Sequence, residues 1–275
     1  MKSILKEKNQ LRIIEVHSAL SAYIASSANF ENKEFHGFWS SSLCDSATLM
    51  LPDTEYVSIR ERLNTIREIS RVSDKPIIVD IDTGGAIDHL KINVANLKNN
   101  NVKAVVIEDK TGSKKNSFIS TGHTRESVEN FCNKIESIEA LQNDDFMIFS
   151  RIESFNLGQG LEDALDRARA YIDAGSAGIM IHDKIESPNR IYQFANELAK
   201  FSSTPIMCVP TTYYKVKESE LFNNGISIIV YANQMSRAAT QAMMAVSESI
   251  LQQDGLAQVE ENIFPLDSFL KLANK

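Results

Sequence analysis

The sequence predicts an α/β fold, a closed (β/α)8 barrel of TIM type with an extra C-terminal helical segment, on three observations. Eight short β-rich runs alternate with amphipathic stretches of helical length along the 275 residues, the signature of repeated βα units. No linker, low-complexity tract or composition shift divides the chain. Acidic residues stand at the ends of several apolar runs, and a parallel barrel gathers its strand ends at one mouth. One barrel domain over 1–275 is expected, with 234–275 exceeding what a minimal barrel needs.

The expected strands, in order, are Ile13–His17, Gly37–Trp39, Ile77–Asp82, Ala104–Glu108, Met147–Arg151, Gly178–His182, Ile206–Val209 and Ile226–Tyr231. Each is a run of mostly apolar residues short enough for a buried parallel strand. Between them the expected helices are Ser18–Ala28, Glu55–Arg71, Asp88–Asn99, Arg125–Gln142, Gly160–Ala174, Pro188–Ala199 and Val216–Asn223. Their apolar residues recur at three and four: Ala164, Ala168 and Tyr171 in one, Ile191, Phe194 and Leu198 in another. Gly175 and Gly225 follow helices as C-caps before the next strand. Pro52-Asp53-Thr54-Glu55 suits a helix start with Asp53 as N-cap; Asp53 is equally a candidate to face a substrate or support a cation, and both roles stay open. After the last strand come a long helix, Gln234 to Gln253, and a tail, Asn262–Lys275.

Composition narrows the partners. A net charge of −7 and a pI near 5.4 argue against nucleic acid and anionic membrane. A small anionic substrate would need a local cation or an Arg/Lys cluster to offset that field. Cys44, Cys132 and Cys208 share no metal-ligand spacing and read as free thiols in a reducing cytoplasm. No apolar stretch approaches the roughly 20 residues that span a bilayer, and Met1 to Gln10 lacks the apolar core of a signal peptide.

The polar residues at strand ends are Asp80, Asp82, Glu108, Arg151, His182 and Asn233, the positions where barrel enzymes place their chemistry. Asp80 and Asp82, two apart on a strand, would point to one face. With Glu108 they form either a site for a hard divalent cation or a buried cluster paired with Arg and Lys. Arg151 would clamp an anionic group through its planar fork, or pair with Glu153 or Glu108. A lone strand-end histidine such as His182 is either structural or a hydrogen-bond donor to substrate. The run Lys110–Ser117 holds three lysines and a glycine, which suits a solvated surface or a lid over an anion.

Taken together these runs resemble the phosphoenolpyruvate mutase branch of the isocitrate lyase superfamily. Trp39-Ser40-Ser41-Ser42-Leu43, with Ser46-Ala47 and Asp53, is similar to its substrate-binding segment. Asp80-Ile81-Asp82-Thr83-Gly84 is similar to its D-x-D-T-G metal motif, and Glu108-Asp109-Lys110 through Lys114-Lys115-Asn116-Ser117 to its E-D-K-x-x-P-K-x-N-S gating loop. Arg151-Ile152-Glu153-Ser154, His182, Pro210-Thr211-Thr212-Tyr213-Tyr214, Tyr231-Ala232-Asn233 with Arg237-Ala238, and the tail Ile263-Phe264-Pro265-Leu266-Asp267-Ser268-Phe269 resemble further segments, in order and over nearly the whole chain. The chain departs from the pattern in having Ser42 where the family usually has Gly, Ser113 for Pro, and Gly85-Ala86 for an aromatic and Gly.

The resemblance implies a Mg2+-dependent isomerase that interconverts phosphoenolpyruvate and phosphonopyruvate, the entry step of phosphonate biosynthesis. It implies Mg2+ at Asp80, Asp82 and Glu108. It places substrate against Trp39, Ser41, Ser42, Leu43, Asp80, Arg151 and His182, and catalysis on Asp53, Lys114, Asn116, Ser117, Arg151 and His182. It also implies a homodimer or homotetramer, with the last barrel helix exchanged between subunits. Asn116 favours the mutase over the related phosphonopyruvate hydrolases, which tend to carry Thr there. Carbon–carbon lyases and oxaloacetate hydrolases of the superfamily carry Cys in a K-K/R-C-G loop, and no Cys lies near Lys114 here. A non-catalytic barrel is disfavoured by the presence of Asp80, Asp82, Glu108 and Lys114.

Overall fold

The computed structural model describes residues 1–111 and 124–274. By their internal contacts they form two compact units, Met1–Gln234 and Met235–Lys275. In the first, eight parallel strands close a barrel: β1 (Leu11–Glu15), β2 (Gly37–Ser40), β3 (Ile77–Asp80), β4 (Val102–Glu108), β5 (Met147–Ile152), β6 (Gly178–Ile181), β7 (Ile206–Cys208) and β8 (Ile228–Tyr231). They run β1-β8-β7-β6-β5-β4-β3-β2 around the closed sheet. All eight expected strands are present, with ends shifted by no more than two residues.

The barrel is filled from within by Leu11, Ile13, Trp39, Ile78, Val106, Met147, Phe149, Met180, Met207, Ile228 and Val230, all buried. These side chains alternate with outward-facing ones that pack on the helices, as the two-residue period of a strand demands. A helix not expected from the sequence, Lys2–Lys8, precedes β1. Met1, with Ile4 and Leu5 beside it, joins the core cluster, and its amino group lies 3.4 Å from the Asp145 carbonyl just before β5. This helix therefore stops the N-terminal end of the barrel, opposite the mouth where the strands finish.

The surrounding helices bury the stripes that the sequence marked: Ala164, Ala168 and Tyr171 of Gly160–Asp173, and Ile191, Phe194 and Leu198 of Asn189–Leu198. One start differs from expectation. The helix after β2 that was placed from Glu55 begins at Ile59, because Ser58 and Glu61 form a reciprocal capping box. Asp53 is therefore not its N-cap. A short helix, Ser42–Thr48, forms directly after β2 and is capped by Ser41, whose Oγ accepts from the Cys44 N–H at 3.4 Å.

The second unit holds most of the helix Gln234–Gln253, then Ala257–Glu260 and Leu266–Ala273. None of the twenty residues of Gln234–Gln253 is buried. Among the described residues no helix is long and apolar enough to cross a membrane.

One glycine in the barrel makes room for an aromatic ring. Gly178 on β6 pairs with Phe149 on β5, and a Cβ at 178 would lie 2.1 Å from Cε1 of the Phe149 ring. The expected outcome of Gly178→Ala is a loss of about 1–3 kcal/mol through overpacking, read as a lowered urea midpoint at unchanged slope.

Candidate active site

The C-terminal ends of the strands surround a cavity of about 60 Å³. Trp39 from β2 and Ser41, Ser42 and Leu43 from the turn into the short helix form one wall, with Asp53 nearby. Asp80 closes β3, Glu108 closes β4, Arg151 comes from β5, and His182 follows β6. The structure thus gathers nine of the residues to which the resemblance gave a role. Lys110, Thr211 and Asn233 complete the polar lining. Asn233 was marked by its place at a strand end; Lys110 and Thr211 lay within quoted motifs without a role. Lys114, Asn116 and Ser117 lie outside the described residues. Asp53 does not cap that helix and lines the cavity.

Asp82 departs from the strand reading. β3 stops at Asp80, and Asp82 adopts φ 54 in a turn closed by the Gly84 N–H to the Ile81 carbonyl at 2.9 Å. Gly84 and Gly85, at φ 75 and 67, allow that turn. Asp82 therefore does not share a strand face with Asp80 and stands behind the cavity wall. Its N–H donates to Asp80 Oδ1 at 3.1 Å, and its carbonyl accepts from the Glu108 N–H at 2.8 Å.

Charge at the mouth is set by strand register, which places Glu108 beside Arg151. Arg151 Nε hydrogen-bonds Glu153 Oε1 and lies 3.6 Å from Glu108 Oε2, while Nη1 lies 3.9 Å from Asp80 Oδ2. Lys110 Nζ lies 3.1 Å from Glu108 Oε1. Both pairings left open for Arg151, with Glu153 and with Glu108, are present on a residue that also lines the cavity. Burial pushes the Glu108 carboxyl up to about 8, against the pull of Arg151 and Lys110. Burial works the same way on Glu153, yet Arg151 and Lys110 hold it well below the usual carboxylate range. His182 is pushed down to about 4 by burial and by the Arg151 charge, so at neutral pH it is an uncharged imidazole.

Two further arginines, which sequence reasoning passed over, brace this mouth. Arg62 donates through Nε to Asp45 Oδ2 at 2.7 Å and through Nη2 to the Ser40 carbonyl at 3.0 Å, and Nη1 donates to the Asp80 carbonyl. It thereby ties the ends of β2 and β3. Arg167 donates to Asp109 Oδ2 at 3.0 Å and to the Glu126 carbonyl at 3.1 Å, and Tyr171 Oη donates to the same carboxylate oxygen at 2.8 Å. Asp109 Oδ1 in turn accepts from the Glu153 N–H at 2.9 Å. The signal was present: each arginine falls within the apolar stripe of its helix, one turn from Ile66 and from Tyr171 respectively.

The donor set suits a hard cation. Asp80, Asp82 and Glu108 offer only carboxylate oxygen, the ligand type that Mg2+ and similar ions take. Glu108 is 1% exposed and is faced by Lys110 at Oε1 and Arg151 at Oε2, so its buried carboxyl already stands among positive charges. No cluster of three His, Cys, Asp or Glu residues is closed around a point among the described residues; the acids are instead engaged by Arg151, Lys110 and Ser42.

A family model described as phosphoenolpyruvate phosphomutase matches residues 1–251. The chain belongs to the phosphoenolpyruvate phosphomutase family. It is 32% identical to a phosphoenolpyruvate phosphomutase of Tetrahymena pyriformis, over 99% of this chain and 89% of that one. Its fold superposes on a crystal structure of a phosphoenolpyruvate phosphomutase from Streptomyces platensis subsp. rosaceus with a TM-score of 0.92 and 33% identity, covering 99% of this chain and 95% of the other. A phosphonopyruvate hydrolase solved with oxalate and Mg2+ superposes with a TM-score of 0.88 at 27% identity, over 99% and 93% of the two chains. The phosphomutase family is one of phosphotransferring isomerases, and the closed barrel agrees with the fold that the resemblance implied.

The uncharged His182 has a consequence for acid stability. Its folded pKa lies below the unfolded value, so between about pH 6.5 and its folded value the unfolded state binds more protons and stability falls as pH falls. Urea midpoints measured across that window are expected to decline in the parent protein and to decline less in His182→Gln. An equal decline in both would show that other groups carry the acid sensitivity.

Proposed function

We propose that this enzyme is a Mg2+-dependent phosphoenolpyruvate mutase that interconverts phosphoenolpyruvate and phosphonopyruvate. The observation that carries the reading is the meeting of Arg151, His182 and the carboxylates of Asp80 and Glu108 in one small cavity at the barrel mouth. A small, multiply charged anion needs both cationic donors and a cation held by acids, and this cavity provides for both.

Asp80, Asp82 and Glu108 would hold Mg2+, which supplies positive charge for the carboxylate and enolate oxygens of the substrate. The N–H groups of Ser42 and Leu43, at the first turn of the short helix, would hold an anionic oxygen, with Ser41 and Trp39 bounding that side. Asp53 would face the pyruvyl group. Arg151 and neutral His182 would donate to phosphoryl oxygens. Lys114 would neutralise the phosphoryl charge, and Asn116 and Ser117 would hydrogen-bond it from the lid. In the forward direction the P–O bond to the enol oxygen breaks and a P–C bond forms at the methylene carbon, so the products contain every atom of the reactant. The phosphoryl group would pass through a loose, metaphosphate-like state and must not meet water, which would be the chemical purpose of a lid here.

The second reading is phosphonopyruvate hydrolysis, in which water takes the phosphoryl group and pyruvate leaves. The similarity to a phosphonopyruvate hydrolase supports it; Asn116, where those hydrolases tend to carry Thr, favours the mutase. A lyase using a loop cysteine is disfavoured, because residues 114–117 are Lys, Lys, Asn and Ser.

The same reading extends to assembly and setting. Residues 234–275 would form the interface of a homodimer or homotetramer, with the final barrel helix exchanged between subunits. Support comes from the unburied helix Gln234–Gln253 and from exposed Met243, Met244, Phe264, Leu266, Phe269 and Leu270. The free cysteines Cys44, Cys132 and Cys208 suit a cytoplasmic protein.

Phosphorus NMR of the purified enzyme with phosphonopyruvate and Mg2+ tests the reaction. Phosphoenolpyruvate is expected without matching inorganic phosphate; phosphate and pyruvate alone would replace the mutase with the hydrolase. Asp80→Ala is expected to abolish Mg2+-dependent turnover, and Asn116→Ala to release extra phosphate. For the assembly, light scattering is expected to give a multiple of the 30.7 kDa chain mass; a monomer at all concentrations would remove the proposed interface.

A further inference from the structure

One arginine on the helix Asn189–Leu198 reaches the loops that follow three neighbouring strands. Arg190 donates to Asp183 with two arms of its guanidinium, Nε to Oδ2 at 2.7 Å and Nη2 to Oδ1 at 2.6 Å, a paired geometry that suits a carboxylate. Asp183 is fully buried and directly follows His182. Its Oδ1 also accepts from the Ile185 N–H at 3.2 Å, and its carbonyl accepts from Thr212 Oγ1 at 2.9 Å. Thr212 follows Thr211, which lines the cavity from the loop after β7. The same guanidinium lies 4.8 Å from the centre of the Phe155 ring. Phe155, itself buried, stands two residues past Glu153, the hydrogen-bond partner of Arg151.

We propose that Arg190 is a positioning residue for the anion-binding half of the mouth: it joins the loops after β5, β6 and β7 and so sets where Arg151, His182 and Thr211 stand. The inference rests on the reading of Arg151 and His182 as donors to a phosphoryl group. Arg190 is not itself among the residues that line the cavity, so it acts through Asp183 and Phe155. A carboxylate at the depth of Asp183 needs a charged partner, and Arg190 supplies one. Charge alone does not account for the arrangement. A planar guanidinium can grip both carboxylate oxygens and lie against an aromatic ring at once, whereas a lysine ammonium offers a single point charge. The three contacts also complete a division of the frame. Arg62 ties the ends of β2 and β3, Arg167 reaches the Glu153 main chain through Asp109, and Arg190 spans the next arc of the barrel.

The test compares the parent with Arg190→Lys, which keeps the charge but not the fork, and Arg190→Met, which keeps an unbranched stem without charge. Two quantities are read: turnover of phosphonopyruvate with Mg2+, and the imidazole nitrogen resonances of His182 in substrate-free protein labelled with 15N-histidine. The chain has five histidines, and His182→Gln identifies the signals of this one. Melting temperatures show which variants are folded; if Arg190→Met is not, Arg190→Lys decides. The expected result in both variants is displaced His182 resonances and a kcat/KM lowered at least about tenfold, toward the ~100-fold that a misplacement of about 1 Å can cost. Parent-like resonances in a folded variant overturn the proposal, even with a lowered melting temperature, because a merely structural tether would move only the latter. Full activity in Arg190→Lys overturns it as well, since charge without the fork would then suffice. If the parent itself does not turn over phosphonopyruvate, the mutase reading fails separately. The His182 resonances then decide alone: displaced, they support Arg190 as the residue that positions His182, and unmoved, they remove it.

Discussion

The constraint on which the rest depends is that several carboxylates must be kept in a nearly dry barrel mouth. Asp80, Glu108 and Glu153 are all buried. Unpaired carboxylates in such a place would protonate or repel one another. Arg151 makes the arrangement possible by standing within 4 Å of all three, beside Lys110 on the Glu108 side. The balance remains incomplete: Glu153 is held strongly ionised, whereas burial still lifts Glu108 to about 8.

Holding such charges in place requires backbone anchoring, and the frame provides it away from the cavity. Arg62 joins the ends of β2 and β3 through main-chain carbonyls and Asp45. Arg167 and Tyr171 hold Asp109, and Asp109 holds the Glu153 main chain. Removing one member of such a buried pair leaves the other uncompensated, which typically costs about 3–5 kcal/mol. These contacts cost more to disturb than exposed ion pairs such as Arg169–Asp166. The residues that touch substrate in the proposed reaction thus rest on a second layer with its own charge balance.

The chemistry proposed for the mouth uses this preorganisation. Phosphoryl transfer through a loose transition state asks the protein for positioning and fixed charge more than for proton transfer. A neutral His182 and a charged Arg151 are donors whose states do not change across neutral pH, and His182 is kept neutral in part by Arg151 itself. The serine at position 42 adds a hydroxyl to the same wall and spends it on Asp82 rather than on solvent.

The order and number of the strands were legible in the primary sequence, because apolar runs of strand length between helical stripes admit few architectures, and the eight found differ from those expected only at their ends. The residues at the strand ends were legible for the same reason: topology sends them to one mouth whatever their partners. Local chemistry was less so. The extended reading of Ile77–Asp82 failed at Asp82, since a left-handed residue before two glycines is decided by the turn it must close. The sequence leaves Asp53 open between a cap and a substrate-facing role, and the capping box of Ser58 and Glu61, five and eight residues on, takes the cap from it. Arg62 and Arg167 drew no reading from the sequence, because their acidic partners lie on other elements. Sequence by itself determined the number and order of the strands whose ends meet at the barrel mouth, through period and topology. Only the tertiary structure decided how the side chains are paired there, because pairing depends on inter-strand register and on burial, and both arise from contacts between residues distant in the chain.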